Sequence, residues 1–418
     1  MSQEFPREAV PLEHANRSPF SIALIMSGML MGVPMIILGG TIGRDYGLVN
    51  AAIVIASGCG LSAVLAMLTA YAGARTRLST ALLSEQSFGR QGARALTAAL
   101  GIALTGWVAV EMGFIGEFAV GGIRRALGVE VPLAAAIICS TGVIALVTIF
   151  GISLISRVPL VFIPLLILLL GFVVITAVPR LEVTGPISGV AVPLGTGISA
   201  IIGSFIIGCI VQPDYSRFIR RPRDAMVAVG ISLGPVWMIV IGGYAAAGLV
   251  AQSEDPAEVL ILLGMPAVLT ILLPLGLTQN GIVTLYSAAL VNATWIRKMP
   301  FTWLVIATSA ISALFALAGA QNAFVTYLVL LGLVFPPAAA ILVQEALFGT
   351  LQSTDVRWRN LIIWCVGSAA ATLSEYGNIG VTKISALDGF IVAFVLAFAV
   401  TRWSHASAQR QSPLQSSD

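Results

Sequence analysis

The chain has 418 residues, of which 58% are hydrophobic and 10% charged, with a formal net charge of +3 and a mean hydropathy of +0.97. Soluble domains carry about 25% charged residues, so this chain lacks the polar groups to cover a water-facing surface, and lipid is the solvent for most of its length. Its slight basic balance carries no nucleic-acid message. The four cysteines sit singly in apolar runs with no zinc spacing, and both histidines lie in the polar ends, which excludes an intramembrane histidine relay.

The first residues lack a basic stretch followed by a short apolar core, so residues 1–19 read as a cytoplasmic tail and not as a cleaved signal. A hydrocarbon core about 30 Å thick takes about 20 apolar residues per helix, and on that scale about twelve spans are predicted. Five of them, 20–40, 48–72, 96–121, 131–153 and 159–178, make a first block over residues 20–179. Five more, 197–211, 225–250, 267–291, 301–317 and 323–346, make a second block over 197–346. Two additional spans, 360–373 and 387–400, fill residues 360–400, and a Ser- and Gln-rich tail, 401–418, is expected to be disordered. With both termini inside, only Arg44, Arg124, Arg125, Arg180 and Lys383 among the basic residues fall outside, which satisfies the positive-inside rule for a multi-pass protein of the inner membrane. The segment Val259 to Met265, after an acidic external stretch, is too short to span and reads as a re-entrant or surface helix.

Gly32-Val33-Pro34 breaks the first span, and Gly203 to Gly208 break the sixth; these are the first helices of the two blocks. Breaks at matching places in two halves point to an inverted repeat with a midplane binding site. Helix packing through glycine accounts for the same residues equally well.

No phosphate-binding glycine loop, zinc-protease helix or aspartate-rich pair is present, so an enzyme is not expected. Ionisable groups in hydrocarbon are expensive and therefore informative. Glu111 stands mid-span, four residues after Trp107 and on the same helix face. A carboxyl there carries a proton, pairs with a cationic group, or is held by a neighbouring helix in a structural role. Glu117, nearer the outer end, reads as a solvated vestibule residue, and Glu345 as structural. Trp107 and Phe205 could clamp a flat ring between them, since such rings offer π-faces. In the eighth span the run Thr278-Gln279-Asn280 must find partners, by binding a cation or substrate or by bonding across helices.

Several of these stretches, in order, resemble the nucleobase–cation symporter family (the purine and cytosine permeases), in particular its cytosine permease branch. They are Gly39-Gly40-Thr41-Ile42-Gly43, Gly73 to Thr80 with Ser87-Phe88-Gly89, Gly106-Trp107, Gly203-Ser204-Phe205, Pro213 to Phe218, and Phe335-Pro336-Pro337. The resemblance implies an all-α integral membrane fold of the LeuT type, two inverted five-helix repeats plus two C-terminal helices. It implies a secondary active transporter, a symporter that imports a nucleobase-like or related small heteroaromatic compound by alternating access. Carried over by position, Trp107 and Phe205 stack the substrate and Asn280 bonds its edge. The coupled cation, sodium or a proton, is the one cofactor implied; a sodium ion would lie between Gly32 and Met35 carbonyls and the Thr278 and Gln279 side chains.

Three positions depart from that pattern. Leu104 stands where the cytosine branch has a base-reading Gln, so cytosine itself is not expected. Gln279 replaces a hydroxyl at the ion site, and Glu111 replaces a small residue, which shifts expectation toward proton coupling or a cationic heterocycle. An amino-acid or amine transporter of the same fold is the alternative, and a membrane substrate sensor a remote one. The implied partners are the small substrate and the lipid bilayer, with no nucleic acid, and a monomer suffices.

Overall fold

A computed structural model describes residues 9–30, 34–149, 158–182, 185, 186, 189, 192–253, 255–266, 270, 272–296, 298–349 and 356–411, with side chains at all of these except 21, 25, 158–163, 272, 273, 275–277, 279 and 404–411. Every regular element among the described residues is helical, as expected where backbone polar groups find no water and must bond within their own segment. Proline opens several helices, at Pro19, Pro34, Pro222 and Pro256, where its missing N–H costs nothing. Side chains cap others: Ser79 accepts from the Leu82 N–H, and Asp255 from the Ala257 N–H.

In chain order the helices are α1 (Pro19–Leu30), α2 (Pro34–Thr76), α3 (Thr80–Leu127), α4 (Leu133–Ile149), α5 (Val158–Ala177), α6 (Leu194–Ile210), α7 (Gln212–Ser216) and α8 (Pro222–Ile231). A π turn (Ser232–Val236) joins α8 to α9 (Trp237–Ala251). There follow α10 (Pro256–Leu262), α11 (Leu272–Trp295), α12 (Phe301–Leu317), α13 (Phe324–Phe348), α14 (Trp358–Tyr376) and α15 (Ser385–Gln411). Each of the predicted spans falls on one or more of these helices. Among the described residues, five helical stretches are long and apolar enough by themselves to cross a membrane: 34–76, 80–127, 222–251, 320–348 and 385–403.

Several expectations are corrected. The first and second spans are not joined by a loop: α2 runs through both and bends at Gly47 (φ 68°, ψ 176°), and α3 bends likewise at Gly89 (φ 77°, ψ 166°). Both bends need a positive φ, which glycine adopts without strain. The break expected at Gly203 to Gly208 is absent, because α6 is continuous to Ile210 and the chain turns at Val211 instead. Gly203 serves packing: a side-chain carbon there would overlap the Leu328 carbonyl of α13. The seventh span is interrupted by the π turn, with Pro235 inside it. The last helix continues to Gln411, well into the stretch expected to be disordered. Nor is the start of the chain wholly free: Val10 and Ala15 are buried, and backbone bonds tie Val10 to Arg77 and Arg17 to Phe218.

The packing that positions the interior is simple. α3 lies along α11 and also touches α4, α12 and α13; α6 lies between α2 and α13; α9 lies along α2; α14 and α15 pack on α13 and on each other.

Candidate functional site

Near the middle of α3, Trp107 and Glu111 lie one turn apart on one face. The Trp107 Nε1–H donates to Glu111 Oε1 at 3.0 Å, and the Asn280 amide, from α11, donates to the same oxygen. Glu111 is fully buried. Its other oxygen, Oε2, has no hydrogen bond among the described residues and lies against Gly281, with the Ile144 and Ile115 side chains close by. No Lys, Arg or His pairs with this carboxyl among the described residues. The Thr284 hydroxyl stands beside it but donates to the Asn280 carbonyl at 2.9 Å.

The two aromatic residues do not touch each other; each has its own aromatic neighbours. The Trp107 ring sits 6.0 Å from Phe324, edge to face, and 6.3 Å from Tyr327. The Phe205 ring sits 5.7 Å from Trp237, a fully buried indole at the start of α9. One turn of α13 lies against both neighbourhoods, since Tyr327 packs on Trp107 and its neighbour Leu328 packs on Gly203, two residues before Phe205. The Tyr327 hydroxyl donates to the Ala103 carbonyl, which fixes that turn against α3.

Of the expected cation-site residues, Gly32 and the Gln279 side chain lie outside the described residues. Met35 is buried in the first turn of α2, and Thr278 is half-buried with its hydroxyl donating to Pro274 at 2.7 Å. Leu104, half-buried and packed on the apolar core, offers no hydrogen bond at its position. Glu117 is half-buried and accepts from Gln321 at 3.0 Å. Glu345 is a structural residue, buried and paired with Arg357 and Arg359. Sequence reasoning passed over Tyr327 and Trp237. Tyr327 packs beside Gly106, where a side-chain carbon would stand 3.2 Å from its ring, a closeness that shows only in the packed helices.

A polar cluster joining two helices deep inside a multi-pass apolar bundle is the architecture of a membrane transport protein. The profile of a family described as permeases for cytosine/purines, uracil, thiamine and allantoin matches residues 9–357. The chain belongs to that family. It is 26% identical over 415 residues to the cytosine permease of Escherichia coli (strain K12), covering 95% of each chain. It is 22% identical to the hydantoin permease of Microbacterium maritypicum, covering 94% of this chain and 88% of that one. Its fold matches the inward-facing conformation of Mhp1 with a TM-score of 0.81 at 18% identity, over 97% of this chain and 94% of the other.

Proposed function

We propose that this permease is a cation-coupled secondary transporter that imports a small, flat heteroaromatic compound of the nucleobase type across the cytoplasmic membrane. One arrangement carries the proposal. Trp107, Glu111 and Asn280, from two different helices, form a single hydrogen-bonded cluster in the interior, and Phe205 supplies a second aromatic face from α6, which packs against the same α13 turn. Aromatic faces hold a planar ring without regard to its substituents, and the polar groups then choose among rings.

In this proposal the chain crosses the membrane about twelve times, with both termini in the cytoplasm. Residues 20–179 and 197–346 form the two five-helix repeats and 360–400 the added pair. Trp107 and Phe205 stack the substrate, Asn280 and Glu111 bond its edge, and Leu104 disfavours cytosine by removing an amide the cytosine branch uses. The coupled ion is sodium or a proton. Sodium would use the Gly32 and Met35 carbonyls with Thr278 and Gln279, oxygen donors that suit a hard cation; a proton would use Glu111. The inward-negative potential then drives import at about 2.3 kcal/mol per charge per 100 mV.

The test is a thermal-shift screen of purified protein against nucleobases, hydantoins and aminopyrimidines, with and without sodium and at two pH values. Bound ligand raises stability by mass action. Stabilisation by planar heterocycles, enhanced by sodium or by acid, is expected. If only aliphatic amines or amino acids stabilise the protein, the alternative carrier of the same fold is correct, and the cation-free carboxylate of Glu111 is its binding group.

A further inference from the structure

The hydrogen-bond inventory of the cluster is lopsided. Two N–H groups, the Trp107 indole's and one of the two on the Asn280 amide, are spent on Glu111 Oε1, which leaves the amide one N–H. Opposite a cationic ligand Glu111 is ionised, and an ionised carboxylate only accepts. It therefore decides which way the Asn280 amide faces: the NH2 end must point at Glu111, and Oδ1 is left as the amide's outward atom. No described group donates to that Oδ1, and none donates to Glu111 Oε2. Turning the Thr284 hydroxyl over to Glu111 would fill one more position, yet a carboxylate has about four lone-pair sites, so an acceptor stays open even then.

We infer that Glu111 makes the site a reader of hydrogen-bond donors, so that its substrate is a planar ring carrying adjacent N–H groups, most complementary as an amidinium edge. This rests on the stacking site proposed above and specifies what it selects. A carbonyl-edged ring meets two acceptors and has at most the second N–H of the Asn280 amide to answer its carbonyl. An amidinium-edged ring supplies one N–H to Asn280 Oδ1 and another to Glu111, and brings the positive charge that no described side chain provides. Unpaired buried acceptors cost more than made bonds return, so the discrimination is set mainly by the ring that fails to pair. With Gln at 111 the constraint disappears: a Gln can donate or accept, and the Asn280 amide is free to turn over.

A matched pair of rings tests this. 2-Aminobenzimidazole carries an N–H/NH2 edge, and 2-benzimidazolone carries a carbonyl in place of the amino group on the same frame. Binding to the purified full chain in nanodiscs should favour 2-aminobenzimidazole by at least about tenfold. Glu111→Gln should bring the ratio near unity while retaining 2-benzimidazolone binding, and Trp107→Ala should weaken both ligands alike. A wild-type preference for 2-benzimidazolone, or equal binding of the two, overturns the donor-reading site, and this needs no variant to fold. An unchanged ratio in a folded Glu111→Gln protein overturns it too. Equal binding that Trp107→Ala abolishes leaves the stacking site standing. Binding of neither ring, or binding indifferent to Trp107, removes the stacking site and the selectivity together.

Discussion

Glu111 and Glu345 are both carboxylates buried inside the bundle, and they are furnished in opposite ways. Glu345, near the end of α13, accepts from the Arg357 guanidinium at 2.9 Å, the Arg359 guanidinium at 2.8 Å and the Asn360 amide at 3.0 Å. Asn360 also donates to the Ser87 carbonyl, and the Arg357 backbone N–H to Phe88, so the start of α14 is stapled to α13 and to the bend of α3. Glu111 has two neutral donors on one oxygen and no cation among the described residues. A carboxylate surrounded by guanidinium groups holds helices together and has nothing left to offer a ligand. One left short of partners has capacity in reserve, which makes it a candidate for function.

The largest effect expected on this contrast is at Glu345. Replacing it with Ala removes the carboxylate that two guanidinium groups and the Asn360 amide share and should cost about 3–5 kcal/mol of stability, read as a large drop in thermal stability in detergent. Glu111→Gln should cost far less, and a loss matching that of Glu345→Ala would erase the contrast. At the stacking rings, Trp107→Ala and Phe205→Ala should each cost about 1–3 kcal/mol of ligand binding, by analogy with base–aromatic stacking, while expression is preserved; normal uptake in both variants would dispose of the clamp.

Asp214, in the short helix α7 beyond the sixth span, is an intermediate case. Burial pushes its carboxyl above the usual carboxylate range, while the Thr80 N–H at 2.9 Å and the nearby Arg217 pull the other way. The folded protein therefore binds this proton more tightly than the unfolded chain does. Stability contributed here falls as pH rises from the ordinary carboxylate value toward the raised one. The slope is at most about 1.4 kcal/mol per pH unit. Asp214→Asn should flatten it, and an unaltered pH profile would show that Asp214 is not its source. The smallest effect belongs to the Arg125–Asp255 pair, which ties the end of α3 to the cap of α10 with both partners partly exposed. Arg125→Ala should cost about 0.2–1 kcal/mol, measurable only as a slight shift in thermal stability.

Hydropathy was a good guide to where helices lie, because lipid penalises every unbonded backbone group along a span. It was a poor guide to where helices end. α2 and α3 pass through bends at single glycines that look like any other glycine in an apolar run, and the expected break in α6 came from glycines that serve close packing. In the cluster, the spacing of Trp107 and Glu111 was legible because one helix turn fixes it. The bond from Asn280 to Glu111 was not, since it depends on how α3 and α11 are placed side by side. Tyr327 and Trp237 were hidden for the same reason: an aromatic in an apolar span shows its neighbours only after the helices are packed.

The close approach at Gly203 has a mechanical side. It is reciprocated, because a side-chain carbon at Gly332 of α13 would stand 3.0 Å from the Ser199 carbonyl of α6, four residues before Gly203. Two backbones seated in each other's grooves at successive turns cannot slide or roll without colliding. The same kind of seat joins Gly39 and Gly43 of α2 to the Ile241 and Ala245 carbonyls of α9. Any rocking motion must then carry each pair of helices as a single rigid plank, and the give has to come from other joints: the bend at Gly47 and the turn at Val211.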